Sequence, residues 1–250
     1  MIGIVTAMPE ERAAVLKTMR QVTRGQQDGL LLYRGQLAQR DVCLVEGGIG
    51  ATAAARAAKT LLTACRPSLL ISAGYCGAVR PGPATGDLVL CSRLLTADPE
   101  RVQELLLPDS QPPAARLAAE LQRFGLRVWQ GSFITTRAIT SKAAISARLP
   151  DDIAHPVLEM ESAAVALAAN GAGIPFIGLR AVSDDAAEEL LFSLDEISTA
   201  TGQVAVGRVL WLLLRRPTVL GQLLRLAAGS ARAGKSLRCG LERLVANCSA

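Results

Sequence analysis

Short runs of β-type apolar residues alternate with longer stretches of helical periodicity along most of this chain, and few folds accept that alternation. Residues 2–6 precede a helical pattern over 10–19, residues 42–45 precede one over 51–62, and residues 69–72 and 88–90 continue the series. Strands joined through helices return in the same direction, so the pattern predicts a largely parallel sheet covered by helices, an α/β fold. Residues 30–34 and 41–45, separated by a few polar residues, are expected to form an antiparallel hairpin within it. Downstream, strands are expected over 126–134, 157–160 and 176–182, and helices over 114–124, 142–149, 162–169 and 194–214. Asp109 to Pro113 reads as a surface loop.

With 250 residues, half of them hydrophobic, the chain is long enough to bury a substantial core in one domain. Aromatics are only 3%, which leaves little surface for stacking on single-stranded nucleic acid, so no nucleic-acid partner is expected. The net charge of +5 belongs to the tail: residues 208–250 carry a balance of +7, which leaves −2 for residues 1–207. After Pro217, Leu220, Leu223, Leu224 and Leu226, then Leu237, Leu241, Leu244 and Val245 recur at helical spacing among arginines. Two domains in sequence are therefore drawn, a catalytic unit over 1–216 and a basic amphipathic helical extension over 217–250. That extension either packs on the domain with its arginines in water or lies on an anionic or lipidic surface. The most apolar run, residues 209–214, is far short of a membrane span.

Cys43, Cys65, Cys76, Cys91, Cys239 and Cys248 form no CxxC pair, and His155 is the only histidine. A zinc site is not expected. Reduced thiols and a cytoplasmic location, with peripheral contact at the inner face of the membrane if the tail lies on lipid, follow from the same reading.

Residues 48–53 give GxGxxA between a strand and a helix. A dinucleotide loop would also want an acidic residue at the end of the following strand, where Ser72 to Tyr75 supply none. A tight turn that lets a sugar or anion approach the backbone is the better functional reading, beside a simple strand-to-helix turn.

The acidic residues are more informative. Glu10 and Glu11 follow the first strand, Glu159 and Glu161 flank Met160 at the end of another, and Asp184 and Asp185 follow the strand over 176–182. Ligands of open α/β sheets gather at the carboxyl ends of strands, so these pairs are expected to converge on one pocket. Asp195 and Glu196 are expected at a helix start. Cleavage of a nucleoside bond suits such a set: the sugar becomes cationic as the bond stretches, and the departing base must gain a proton. One carboxylate can activate water, another can bind ribose hydroxyls, and a third, its pKa raised by burial, can act as acid, without a metal or other cofactor. Taken singly, each carboxylate is equally a helix cap or a solvated charge.

Five segments carry a family resemblance: Gly3 to Glu11 (GIVTAMPEE), Gly47 to Gly50 (GGIG), Ser72 to Val79 (SAGYCGAV) with Gly86 to Val89 (GDLV), Glu159 to Ala166 (EMESAAVA), and Arg180 to Asp184 (RAVSD). In order and spacing the chain resembles the purine nucleoside phosphorylase and uridine phosphorylase superfamily over about residues 1–207, nearest its methylthioadenosine/S-adenosylhomocysteine nucleosidase branch. The resemblance implies a three-layer α/β/α sandwich around a mixed, partly barrel-like sheet, assembled as a homodimer. It implies Glu11 as activator of water, Asp184 as proton donor to the purine with Ser183 beside it, Glu161 on the ribose hydroxyls, Met160 against the sugar and Glu159 on the same wall. Gly74, Tyr75 and Ile139 would also touch substrate.

Four departures stand out. Tyr75 replaces a small Ser or Thr and is expected to crowd the sugar end. Ser72 stands where phosphorylases carry an arginine, which favours water over phosphate as nucleophile. Thr135 to Thr140 (TTRAIT) lacks the Gly-Asp of the nucleosidases. The tail, foreign to the small nucleosidases, is similar to the extension of hopanoid-associated nucleoside phosphorylases, which act on an adenosylated lipid. The implied activity is hydrolytic release of adenine from a 5′-modified adenosine, with phosphorolysis of a lipid-linked adenosine and a non-catalytic nucleoside-binding protein as alternatives.

Overall fold

The computed structural model describes residues 1–107, 112–138, 140–187 and 219–248. In chain order the elements are β1 (Ile2–Thr6), α1 (Pro9–Leu16), β2 (Arg20–Gln27), β3 (Leu30–Leu37), β4 (Arg40–Glu46), α2 (Ala51–Cys65), β5 (Leu69–Ala78), β6 (Leu88–Ala97) and β7 (Val102–Leu105). They continue with α3 (Ala114–Gln122), β8 (Val128–Thr136), α4 (Lys142–Ser146), β9 (Val157–Glu159), α5 (Ser162–Gly171), β10 (Phe176–Asp184) and α6 (Val219–Asn247). The predicted helix over 194–214, with Asp195 and Glu196, lies outside the described residues.

The sheet is mixed and partly closed. β10 pairs with β5 in parallel and with β6 antiparallel, β6 pairs with β8, β8 with β9, and β9 with β5, so five strands form a ring. From β5 an arm runs outward through β1, β4, β3 and β2. The predicted hairpin is the antiparallel β3–β4 pair, with Leu32 opposite Val45. β2 and β7 have no counterpart in the expected pattern. Both are edge strands, and β2 is exposed along nearly its whole length, so neither carries a hydrophobic signature.

Helices cover both faces. On one side α2 and α5 bring small residues against the sheet: Ala54, Ala57 and Ala58, then Ala163, Ala166 and Ala169, are all buried. Small side chains let these helices approach closely, which explains the abundance of alanine. On the other side α1, α3 and α6 close over Ile2, Ile4, Ile71 and Leu179. Ala233, Leu237, Leu241, Leu244 and Val245 of α6 are each no more than 1% exposed. The amphipathic face of the tail is thus spent, from Ala233 onward, on the sheet. Leu224 in its first turns is 63% exposed.

Cys43 on β4 and Cys65 at the end of α2 are joined as a disulfide, which departs from the expectation of six reduced thiols. They are 22 residues apart in sequence, and the return of α2 over β4 brings them together.

Candidate active site

Two glycines of β5 mark the site. A β-carbon on Gly74 would stand 2.6 Å from Glu11 Oε1 and 3.2 Å from Arg180 Nη1; one on Gly77 would stand 2.6 Å from Asp184 Oδ2. Each glycine leaves room for a charged group to lie over the strand. The two places are three residues apart along β5.

At the Gly74 end, Glu11 sits in the first turn of α1, where Pro9 fixes the entry of the helix. Its Oε2 accepts the backbone N–H groups of Ala7 (2.8 Å) and Met8 (3.0 Å), the cap anticipated for a carboxylate in this position. Its Oε1 reaches across to accept the Tyr75 N–H at 2.8 Å. Capping and site placement are thus served by opposite oxygens of one side chain. Burial pushes the Glu11 carboxyl above its ordinary range, and the Arg180 charge and the three N–H donors offset part of that rise.

Arg180 is the hub of this end. It stands in the middle of β10, 2% exposed, in a strand otherwise apolar from Phe176 to Val182. Its Nη2 donates to Glu159 at 2.6 Å and to Ser72 Oγ at 3.1 Å, and reaches Glu161 at 3.5 Å. Its Nη1 and Nε have no hydrogen-bond partner among the described residues. Glu159 also accepts the N–H groups of Glu161 (3.0 Å) and Ser162 (2.7 Å) at the start of α5, and the Thr135 hydroxyl. Against the desolvation that burial imposes, Arg180 and these donors hold Glu159 below the ordinary carboxylate range. Glu161 is left with the opposite balance: burial, then the charge of Glu159, push it to about 7. Its Oε1 accepts the Gly50 N–H at 2.9 Å. The glycine-rich turn over 48–53 therefore serves as a backbone donor to Glu161. Gly48 and Gly50, at φ of +97° and +93°, take conformations that other residues rarely adopt.

At the Gly77 end, β10 is irregular. Val182 pairs with Cys76 and Asp184 with Gly77, so Ser183 is extra in the ladder. Such bulges re-aim side chains next to active sites. Here the bulge sets Asp184 over Gly77, with the Ser183 hydroxyl 2.6 Å from Asp184 Oδ1. Lys142, at the start of α4, places its ammonium nitrogen 2.5 Å from Asp184 Oδ2.

The structure brings Glu11, Glu159, Glu161, Ser183, Asp184 and Gly74 together around β5, with Met160 between the two glutamates of β9 and α5. Glu10 is exposed on the outer side of the same turn. Ile139 lies outside the described residues. Tyr75 corrects the expectation drawn from its bulk. Its side chain points to the opposite face of β5, packed with the cluster beneath α6, and a β-carbon on Gly234 would stand 2.8 Å from its hydroxyl oxygen. Only its backbone N–H reaches the site, because alternate residues of a strand face opposite ways. Ser72 is 1% exposed and engaged with Arg180 and with Ser162. Arg180 and Lys142 carried no assigned role. A lone arginine inside an apolar strand is itself a signal, since a buried charge must be paired. Lys142 gave none, because only the return of α4 toward β10 brings it to Asp184.

The chain and its fold have counterparts among known proteins. The model of the phosphorylase superfamily matches residues 1–215. The chain belongs to that superfamily. Its relatives include the 5′-methylthioadenosine/S-adenosylhomocysteine nucleosidase of Listeria innocua, 30% identical over 227 residues that cover 82% of this chain and 95% of the relative. The corresponding nucleosidase of Actinobacillus succinogenes is 29% identical over 226 residues, 85% of this chain and 97% of the relative. Among solved structures, futalosine hydrolase of Helicobacter pylori superposes with a TM-score of 0.73 at 16% identity, over 99% of this chain and 97% of the other. The Neisseria meningitidis nucleosidase in complex with methylthio-immucillin-A gives 0.68 at 21% identity, over 99% of each chain.

Proposed function

We propose that the protein hydrolyses the N-glycosidic bond of a 5′-modified purine nucleoside and releases adenine. One observation carries the reading: along β5, Glu11 lies against Gly74 and Asp184 against Gly77, with Arg180 and Glu161 close to Glu11. Glu11 activates the attacking water, a task suited to a carboxylate whose burial raises its basicity. The unpaired Nη1 of Arg180 orients that water or a sugar hydroxyl. Glu161 accepts the ribose hydroxyls, Met160 packs against the sugar, and Glu159 holds Arg180 in place. Asp184, steadied by Ser183, passes a proton to the base as the bond breaks. The names of the relatives, nucleosidases of methylthioadenosine and S-adenosylhomocysteine, agree with this class of substrate.

Water is favoured over phosphate on charge grounds. The guanidinium at the nucleophile end is ion-paired with Glu159, which offsets the charge a phosphate dianion entering there would need. Incubating the protein with methylthioadenosine, S-adenosylhomocysteine, adenosine and inosine, with and without phosphate, tests the reading. Free base and free sugar are expected in both conditions. Sugar 1-phosphate formed only with phosphate present would replace hydrolysis by phosphorolysis, and tight binding without base release would leave a binding protein.

Homodimeric assembly rests on the family resemblance, and a cytoplasmic location on reading the cysteines, four of which are free, as reduced thiols. Among the described residues no helix is long and apolar enough to cross a membrane. Contact with an anionic surface would fall to the exposed start of α6 around Leu224, since the second half of that helix is buried in the core.

A further inference from the structure

Lys142 occupies a position that folding alone does not favour. It opens α4, where a positive charge opposes the helix dipole, and the whole residue is only 8% exposed. Burying an ammonium group is costly unless it is paired. Among the described residues its partners come from the end of β10 and the residue after it: Asp184 Oδ2 at 2.5 Å, the Asp185 carbonyl oxygen at 2.5 Å and the Asp184 carbonyl oxygen at 3.5 Å. Gly77 keeps the space open, since a β-carbon there would lie 3.0 Å from Lys142 Cε as well as against Asp184. On its other oxygen Asp184 meets the Ser183 hydroxyl at 2.6 Å, the shorter of that hydroxyl's two contacts. Both carboxylate oxygens of Asp184 therefore face donors in the free protein. The Lys142 ammonium is thus in direct contact with a carboxylate oxygen of Asp184 and can hand a proton to it.

We infer that Lys142 is the positioning residue that stores the proton for base departure and delivers it through Asp184. The inference rests on the bond-cleavage reading above. As C1′–N9 breaks, its electron pair goes to the base, and a purine ring nitrogen takes a proton from Asp184. Lys142 supplies that proton from its ammonium group as Asp184 passes it on, so the Asp184 carboxyl ends as it began and Lys142 is left as an amine. At the other end water forms the new C1′–O bond and gives one proton to Glu11. One water is consumed, and one ring N–H and one sugar O–H are formed. Glu11 then loses a proton to solvent and Lys142 regains one, which restores both.

The test compares two leaving groups in Lys142→Met and wild type. One is the purine nucleoside of the four-member panel that wild type cleaves fastest; the other is 4-nitrophenyl β-D-ribofuranoside, whose phenolate departs without a proton. Loss of a proton donor costs about 100-fold or more. Lys142→Met is therefore expected to lose about 100-fold in kcat on the purine nucleoside, increasingly so as pH rises, and far less on the nitrophenyl riboside. Equal losses on both substrates would show a purely structural role, and no loss on either would show none; both overturn the proposal. Should Lys142→Met fail to fold, Lys142→Gln is read on the same pair, since its amide can still donate to Asp184 but has no proton to release. Failure of wild type to release base from any panel member would sink the bond-cleavage reading, and this proposal with it.

Discussion

The two ends of the site are built on different principles. At the sugar end, Arg180 and the carboxylates of Glu11, Glu159 and Glu161 are buried within the sheet and the helix starts, each held by backbone or side-chain partners from several elements. At the base end, one Lys142–Asp184 pair with side chains 10% and 17% exposed sits where a bulged strand meets a short helix. The first end cannot be altered without leaving a charge unpaired in the interior. The second can lose a partner and let water in. Stability and chemistry are therefore coupled at the sugar end and separable at the base end.

The largest effect should come from Arg180→Met. It leaves Glu159, whose side chain is fully buried, without its cation, and removing one partner of a buried pair costs about 3–5 kcal/mol. Urea denaturation measures this, and a loss under about 1 kcal/mol would break the distinction between the ends. Glu11→Gln should lower kcat by about 1,000-fold, within the span of general base catalysis. Less than a tenfold drop in base release would remove Glu11 from the chemistry. Asp184→Asn should cost about 100-fold in kcat with nucleoside binding by calorimetry retained, since the amide keeps the shape but cannot pass a proton. A parallel loss of binding would mean that the base end is not separable.

Smaller effects sharpen the contrast. A β-carbon at Gly229 of α6 would overlap the Ser183 carbonyl oxygen. Gly229→Ala should thus destabilise by about 1–3 kcal/mol and disturb Asp184 more than Glu11, readable as a change in kcat with little in the nitrophenyl riboside reaction. The smallest effect is a pH dependence at the sugar end. Glu161 holds its proton to about 7 in the folded chain against an ordinary value of 4.5. Between those values the folded chain binds a proton that the unfolded chain has lost, so this group's contribution to stability falls as pH rises from 4.5 to 7 and is level above. From pH 5 to 8 wild type should lose a few degrees more in Tm than Glu161→Gln. Identical slopes in the two proteins would refute the assignment.

Much of this was legible beforehand. Strands that are buried on both faces, such as β5 and β10, show as continuous apolar runs, and α2 and α5 show as alanine-rich periodic stretches. Edge strands β2 and β7 did not show, since pairing on one side leaves their side chains in water. The three acidic pairs could be placed at strand ends from order alone. Which carboxylate holds a proton could not, because Glu159 and Glu161 are two residues apart and one guanidinium binds Glu159 closely and holds it down, while burial and the charge of Glu159 push Glu161 up. The tail reads as amphipathic in sequence, but amphipathicity is satisfied equally by a sheet or by a lipid surface, and only packing chose the sheet.

The sequence by itself determined the α/β class, the superfamily and the carboxylates at the strand ends, because periodicity and short motifs are local properties. The tertiary structure decided what needs partners distant in the chain. The ring closes only when β10 meets both β5 and β6; Tyr75 turns away from the sugar because of strand alternation; and Lys142, 42 residues before Asp184, becomes its partner because α4 folds back over the end of β10.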